Sequence, residues 1–324
     1  MKPLIDVQHI NLRIATGHVF QKQKTILHDI SFQVMQGSST AYLGTNGAGK
    51  TSTFRILCGL VKANSGHVFF DGEMMSNGLP PKRFGFMPEQ PYFYKNLTPK
   101  ELLTGLGRLS GLRNNDLNKD IGVWAERLGF TKVLNQRLST CSKGQVQRVG
   151  LAQALIHQPD FILLDEPLSG LDPIGRACVR DVLHAEIKRG ATLLFSSHIL
   201  SDAEAICDQV IILKEGRTVF SGGIKSLLSS EDEWLLKATW KGIPPTFLNT
   251  QVSLFIDGSY HFRGVSIAAR NEVIQKILAD ANASLISVEP KQRTLEHAFV
   301  DLLRSDAKNV GESNSEEGHY AADS

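Results

Sequence analysis

Apolar and polar positions along the chain fall into regions of different rhythm. Over the first 228 residues or so, short apolar runs alternate with stretches of helical spacing. Residues 38–43 read as a short strand running into a glycine-rich turn. The following TSTFRILCGL then sets Phe54, Leu57 and Leu60 on one face of a helix. Further strands are expected at Gly66–Phe70, Phe161–Asp165, Thr192–Ser196 and Val210–Lys214, with a helix over Ile174–Arg189 between two of them. This alternation predicts a largely parallel sheet covered by helices, an α/β fold.

Between about Pro91 and His157 the strand signals stop. PKELLTGLGRLSGL and DIGVWAERLGF suggest a helical subdomain inserted into the first domain, 1–228. From 229 to 304 the pattern changes again. DEWLLKATW, VSLFIDGSYHF and EVIQKILADANASLISVE predict a small α+β domain, closed by an amphipathic helix over Thr294–Leu303. Residues 305–324 are polar, acidic and poor in large apolar side chains, so a disordered tail is expected there.

Composition narrows the partners. Basic residues number 35 and acidic ones 33, a net charge of +2 that offers no global attraction to nucleic acid. Cys58, Cys141, Cys178 and Cys207 have no CxxC spacing, so they are expected to be small, mostly buried side chains rather than zinc ligands or a redox pair. Asp6, His9 and Arg13 interrupt the apolar positions of the opening segment, so no secretory signal is expected. The longest apolar runs, Phe161–Leu164 and Val210–Leu213, have the length of buried strands and fall far short of the ~20 residues that span a bilayer.

The chemistry concentrates in three places. Gly44-Thr45-Asn46-Gly47-Ala48-Gly49-Lys50-Thr51, followed by Ser52, matches GxxxxGK[ST] after a strand and at the start of a helix. Glycines let backbone N–H groups curl around an anion, and the helix N-terminus adds a positive dipole. Lys50 would reach the β- and γ-phosphates of a nucleotide, and the Thr51 hydroxyl would bind Mg²⁺. In FILLDE, a buried strand would deliver Asp165 and Glu166 at the sheet edge where such folds bind ligands. Asp165 would hold Mg²⁺ and Glu166 would activate the attacking water. His198, at the end of LLFSSH, would report the γ-phosphate through a neutral imidazole.

The order of phosphate loop, helical insertion, CSKGQ, LLDEP, SGLD and SSH resembles ATP-binding-cassette (ABC) ATPases over about residues 1–228. It is most similar to single-cassette subunits of exporter-type (ABC-2) transporters, whose membrane-spanning permeases are separate chains. The resemblance implies a P-loop ATPase fold of ABC type, with ATP and Mg²⁺ as cofactors. It also gives a role to residues 141–145, which occupy the family's signature position, usually LSGGQ. Ser142, Lys143, Gly144 and Gln145 would contact the γ-phosphate held by a second cassette. Cys141 stands there for leucine and Lys143 for the first glycine.

Ser169–Asp172 matches the family's D-loop, which links the two sites of a dimer. Glu89 falls where the Q-loop usually has glutamine, with Gln90 one residue later. The resemblance also implies an adenine-stacking aromatic, expected at Phe20, with His18 as the alternative. Tyr92, Phe93 and Tyr94 would either pack within the helical subdomain or line a groove for a permease helix. The implied protein is a peripheral ATPase on the cytoplasmic side of a membrane, paired with a second cassette and a permease, and not bound to nucleic acid. The rival is a soluble ABC ATPase acting on ribosomes or DNA. Against it stand the single cassette and the absence of sustained heptads between Lys50 and Cys141.

Overall fold

The computed structural model describes residues 2–16, 22–75, 83–228, 234–244, 246, 250–255, 257–264, 267–290 and 294–303. The expected tail at 305–324 lies outside them. The chain divides into two compact units, Met1–Ile224 and Lys225–Arg304. Among the described residues no helix is long and apolar enough to cross a membrane.

In chain order the first unit contains β1 (Pro3–Thr16), β2 (Lys22–Met35), β3 (Ser39–Gly44), α1 (Lys50–Leu57), β4 (Ser65–Phe70), β5 (Glu73–Met74) and β6 (Phe84–Met87). The helices α2 (Pro99–Leu109), α3 (Asn114–Arg127) and α4 (Lys143–Leu155) follow. Then come β7 (Phe161–Leu164), α5 (Pro173–Arg189), β8 (Thr192–Ser197), α6 (Leu200–Ile206), β9 (Gln209–Lys214) and β10 (Arg217–Gly223). A short helix, α7 (Ile224–Leu228), stands at the division between the units.

Six strands form one sheet in the order β10-β9-β3-β8-β7-β6. Its inner pairings are parallel, and only the edge strand β10 runs antiparallel to its neighbour. Residues 161–164 and 210–213 are at most 1% exposed, which fits strands covered on both faces. Gly66–Phe70 departs from the expectation. It lies in β4, which belongs to a separate antiparallel sheet, β2-β1-β4-β5. That sheet is built on β1 and β2, two strands of 14 residues each that the apolar runs alone do not announce. Their inward positions, Ile5, Val7, Ile10 and Leu12 on β1 and Leu27, Ile30, Phe32 and Val34 on β2, are separated by polar residues and by bulges.

One apolar cluster joins this antiparallel sheet to α1 and to Tyr42, Phe161, Leu194 and Ile211 of the parallel sheet. Phe54 and Leu57 of α1 are buried in it, but Leu60 is 66% exposed. The helix stops before Leu60 because Cys58 caps it and Gly59, at φ 70°, turns the chain away. At the start of α2, Thr98 Oγ1 accepts the Glu101 N–H (3.2 Å) while Glu101 Oε2 accepts the Thr98 N–H (2.8 Å). That reciprocal bond to the Thr98 backbone holds the Glu101 carboxyl below its ordinary range.

The second unit is an antiparallel sheet of β11 (Trp234–Trp240), β12 (Thr250–Leu254), β13 (Ser259–Gly264) and β14 (Ala283–Pro290), ordered β12-β13-β11-β14, with α8 (Ile267–Ala279). Trp234, Leu236, Ala238 and Phe262 meet Val273 and Ile277 of α8 in its core. A final helix covers 295–303. Leu295 and Ala298 supply its buried positions.

Candidate functional site

Strands β3, β8 and β7 are neighbours in the parallel sheet, so the residues that follow them meet at one edge. After β3 the chain turns through Gly47 (φ 81°) and Gly49 (φ 107°), a region costly for residues with a Cβ. At Gly49 a Cβ would also stand 2.5 Å from Leu27 Cδ2, so the loop can lie against β2 only with glycine there. Ala48 N–H donates to Thr45 O, and Ala48 O accepts the Gly216 N–H, each at 3.1 Å. Behind the loop, Thr53 Oγ1 donates to Gly49 O and accepts from the buried Tyr42 hydroxyl, both at 3.1 Å.

Lys50 folds back over this loop. Its Nζ donates to Gly44 O at 2.7 Å and to Thr45 O at 3.3 Å, and the residue is 8% exposed. Burial pulls the ammonium below the ordinary lysine range, while the carboxylates of Glu166, Asp165 and Glu89 work against that pull. A buried cation facing three carboxylates, beside backbone N–H groups on a glycine turn, is the make-up of a polyphosphate site.

Asp165 and Glu166 come next. Asp165 is buried, and its Oδ1 accepts from Ser196 Oγ at 2.6 Å. The same serine oxygen accepts the Glu166 N–H at 2.9 Å, so one side chain of β8 fixes both acids. Glu166 has φ 51°, a left-handed conformation costing roughly 1–3 kcal/mol for a residue with a Cβ. The bond its N–H donates to Ser196 Oγ and another that Glu166 O accepts from Gln147 Nε2 (3.2 Å) hold it there. Its Oε2 lies 2.7 Å from His198 Nδ1. That contact holds the imidazole by its Nδ1 edge and leaves Nε2 as the other polar atom of a ring that lines the cavity.

These groups border a cavity of about 470 Å³. It is lined by the loop from Asn46 to Ser52, by Glu89, Asp165, Glu166 and His198, and by Lys24 and Ile26 of β2. Gly44 and Thr45 do not line it but supply the carbonyls that hold Lys50. Of the two Q-loop alternatives, Glu89 reaches the cavity and Gln90 does not. Phe20 and His18 lie outside the described residues. Among the described residues no cluster of three His, Cys, Asp or Glu side chains could hold a metal unaided. The oxygens of Thr51 and Asp165 suit a Mg²⁺ that brings phosphate oxygens and waters with it.

Residues 142–145 and Asp172 stand apart from this cavity. Ser142 caps α4, its Oγ accepting the Gln145 N–H at 3.2 Å while Gln145 Oε1 accepts the Ser142 N–H at 2.8 Å. Ser142 and Lys143 are exposed. Asp172 caps α5, with Oδ1 accepting the Gly175 N–H at 2.9 Å. Tyr92 and Tyr94 are 88% and 80% exposed, so packing within the helical subdomain does not account for them. All four cysteines are free, but only Cys58 and Cys207 are buried; Cys141 and Cys178 are half-buried.

A family model described as ABC transporter matches residues 27–169, a span that holds the loop, residues 141–145 and the acidic pair. The uncharacterized ABC transporter ATP-binding protein sll0415 of Synechocystis sp. (strain PCC 6803) is 32% identical over 305 residues, covering 93% of this chain and 85% of that protein. This chain belongs to the ABC transporter ATP-binding proteins. It is an ABC ATPase, and its nucleotide is ATP. YxlF of Bacillus subtilis (strain 168), another uncharacterized ABC transporter ATP-binding protein, is 43% identical over 199 residues. That match covers 61% of this chain and 66% of YxlF, just under two thirds of its length. The linearmycin resistance ATP-binding protein LnrL of the same strain is 29% identical, covering 91% of this ABC ATPase and 97% of LnrL. Among solved structures, the dimeric post-hydrolysis state of the cassette MJ0796 bound to ADP and Pi shares the fold at a TM-score of 0.62. It is 21% identical and covers 68% of this chain and 98% of that one.

Ser196, Gln147, Lys24 and Ile26 are the site residues that motif reading missed. Ser196 stands within the SSH run and its strand position was visible, but its double bond to both acids needs the β7–β8 register. Lys24, Ile26 and Gln147 carry no local signal.

Proposed function

We propose that this ABC ATPase drives a separate membrane permease by closing in pairs on ATP. Lys50 and the N–H groups of residues 44–52 cradle the β- and γ-phosphates. Thr51 and Asp165 would hold Mg²⁺, which would neutralise charge on the phosphates. Glu166 takes the proton of the attacking water, and His198 Nε2 contacts the γ-phosphate, its ring oriented by the Nδ1 bond to Glu166. Glu89, which lines the cavity, provides the Q-loop contact. The adenine is stacked from the segment containing Phe20.

One observation carries the paired arrangement. The cavity gathers Asn46 to Ser52 with Glu89, Asp165, Glu166 and His198, whereas its lining does not include residues 142–145, an exposed helix start. A second cassette supplies it: Ser142, Lys143, Gly144 and Gln145 of each chain meet the γ-phosphate on the other, beside the turn ending at Asp172. ATP favours the closed pair because only there does it touch both chains, and hydrolysis removes that advantage. The closing motion is transmitted to the permease at the cytoplasmic face, where the exposed Tyr92 and Tyr94 suit a helix groove. Export is the direction this reading favours, in keeping with a relative named for linearmycin resistance.

Glu166→Gln is the test. It keeps the shape of the site and removes the base, so ATP should hold the variant as a stable dimer in light scattering while steady turnover disappears. A variant that stays monomeric at saturating ATP and Mg²⁺ would sink the paired mechanism. Purification of the wild-type chain from membranes should bring a polytopic partner with it.

A further inference from the structure

Helix α6 starts two residues after His198 and is only seven residues long. A helix of that length is not stable alone, so tertiary anchors set its position. Ala203 and Ile206 are buried apolar anchors, which hold without direction. Asp202 is the directional one. It is 3% exposed, and a carboxylate so buried needs charged partners. Both come from α5: Arg176 Nη1 donates to Oδ2 at 3.5 Å, and Arg180 Nη1 lies 3.7 Å from Oδ1. The arginines are four residues apart, on one face of α5.

Each end of this link reaches a segment assigned above. Arg176 N–H donates to the carbonyl of Asp172 at 2.9 Å, so Arg176 stands in the helical turn that Asp172 caps. On the other side, Ser197 Oγ accepts the Ile199 N–H at 2.9 Å, fixing the bend between β8 and α6. His198 therefore sits between two pinned points, Ser197 and Asp202. Neither arginine nor Asp202 lines the cavity.

We infer that Asp202 is a positioning residue that ties the turn at 169–172 to His198 through Arg176 and Arg180. Pressure from a second cassette on that turn shifts the first turn of α5, and Asp202 passes the shift to the start of α6 and so to the imidazole. Chain pairing and His198 alignment are thereby one event. The inference rests on the role proposed for His198.

The test is Asp202→Asn in the full chain, which keeps the size and removes the charge. The expected result is a kcat for ATP lowered roughly tenfold, since small misplacements of a reacting group are costly. KM for ATP should hardly move, and the loss of kcat at a temperature well below melting should exceed what any fall in melting temperature accounts for. Arg176→Gln/Arg180→Gln, on partly exposed side chains, should give the same loss and serves if Asp202→Asn does not fold. Combining all three changes should add nothing further, as for residues acting through one link. An unchanged kcat, or losses that multiply or merely track melting temperature, would overturn the inference. His198→Ala separates the two levels: full turnover in that variant overturns the role of His198 and this inference with it. A loss in His198→Ala without one in Asp202→Asn overturns the link alone.

Discussion

The two units handle polar groups in opposite ways. The first buries Lys50, Gln147, Asp165, Glu186 and Asp202, each with a partner. Among the described residues of the second, Ser259 is the only buried polar side chain, and both its N–H and its hydroxyl go to Asp257. Removing charges from water costs several kcal/mol each, and mutual attraction often fails to repay it. A chain that meets this cost repeatedly in one unit and avoids it in the other has placed its chemistry in the first. The second unit, built on Trp234, Leu236, Phe262 and Ile277, is organised for packing.

Mutations can break this contrast from either side. Lys50→Ala should have the largest effect: under the proposed mechanism it removes the cation that faces the transferred phosphoryl group, and ATP turnover should fall on the order of 10⁴-fold. Steady-state phosphate release measures it. Phe262→Ala should cost about 3–5 kcal/mol in the second unit by opening a cavity at a fully buried ring. Calorimetry should show that loss while ATP binding by the first unit persists; loss of ATP binding would mean that the two units are energetically inseparable. Ser196→Ala should leave Glu166 N–H without its acceptor and Asp165 without its donor, costing about 1–3 kcal/mol. Turnover should fall accordingly with little change in ATP affinity. The smallest effect is expected from Thr98→Ala, about 1 kcal/mol from the lost cap of α2 in denaturant unfolding, with turnover intact.

Legibility in the sequence followed the range of the interactions. The loop from Gly44 to Ser52 could be read because a phosphate cradle is made from consecutive backbone groups. Asp165 and Glu166 could be read because a fully apolar strand ran directly into them. Ser196 was harder, since its two bonds depend on β8 lying beside β7. Gly66–Phe70 looked like one more buried strand, and nothing local told the parallel sheet from the antiparallel one. Leu60 followed the helical spacing of Phe54 and Leu57, yet Gly59 turned it out to solvent. Glu89 falls where the Q-loop usually has glutamine and Gln90 one residue later, and of the two only Glu89 lines the cavity.

By itself, then, the sequence determined the α/β class, the phosphate loop, the acidic pair and the family resemblance. Each is written in contiguous residues whose backbone geometry and charge are set by their nearest neighbours. Only the tertiary structure decided that Ser196 clamps both acids, that Lys24 and Ile26 wall the cavity, and that residues 142–145 stand outside it. Those outcomes depend on strand order and register, which arise from packing between segments far apart in the chain.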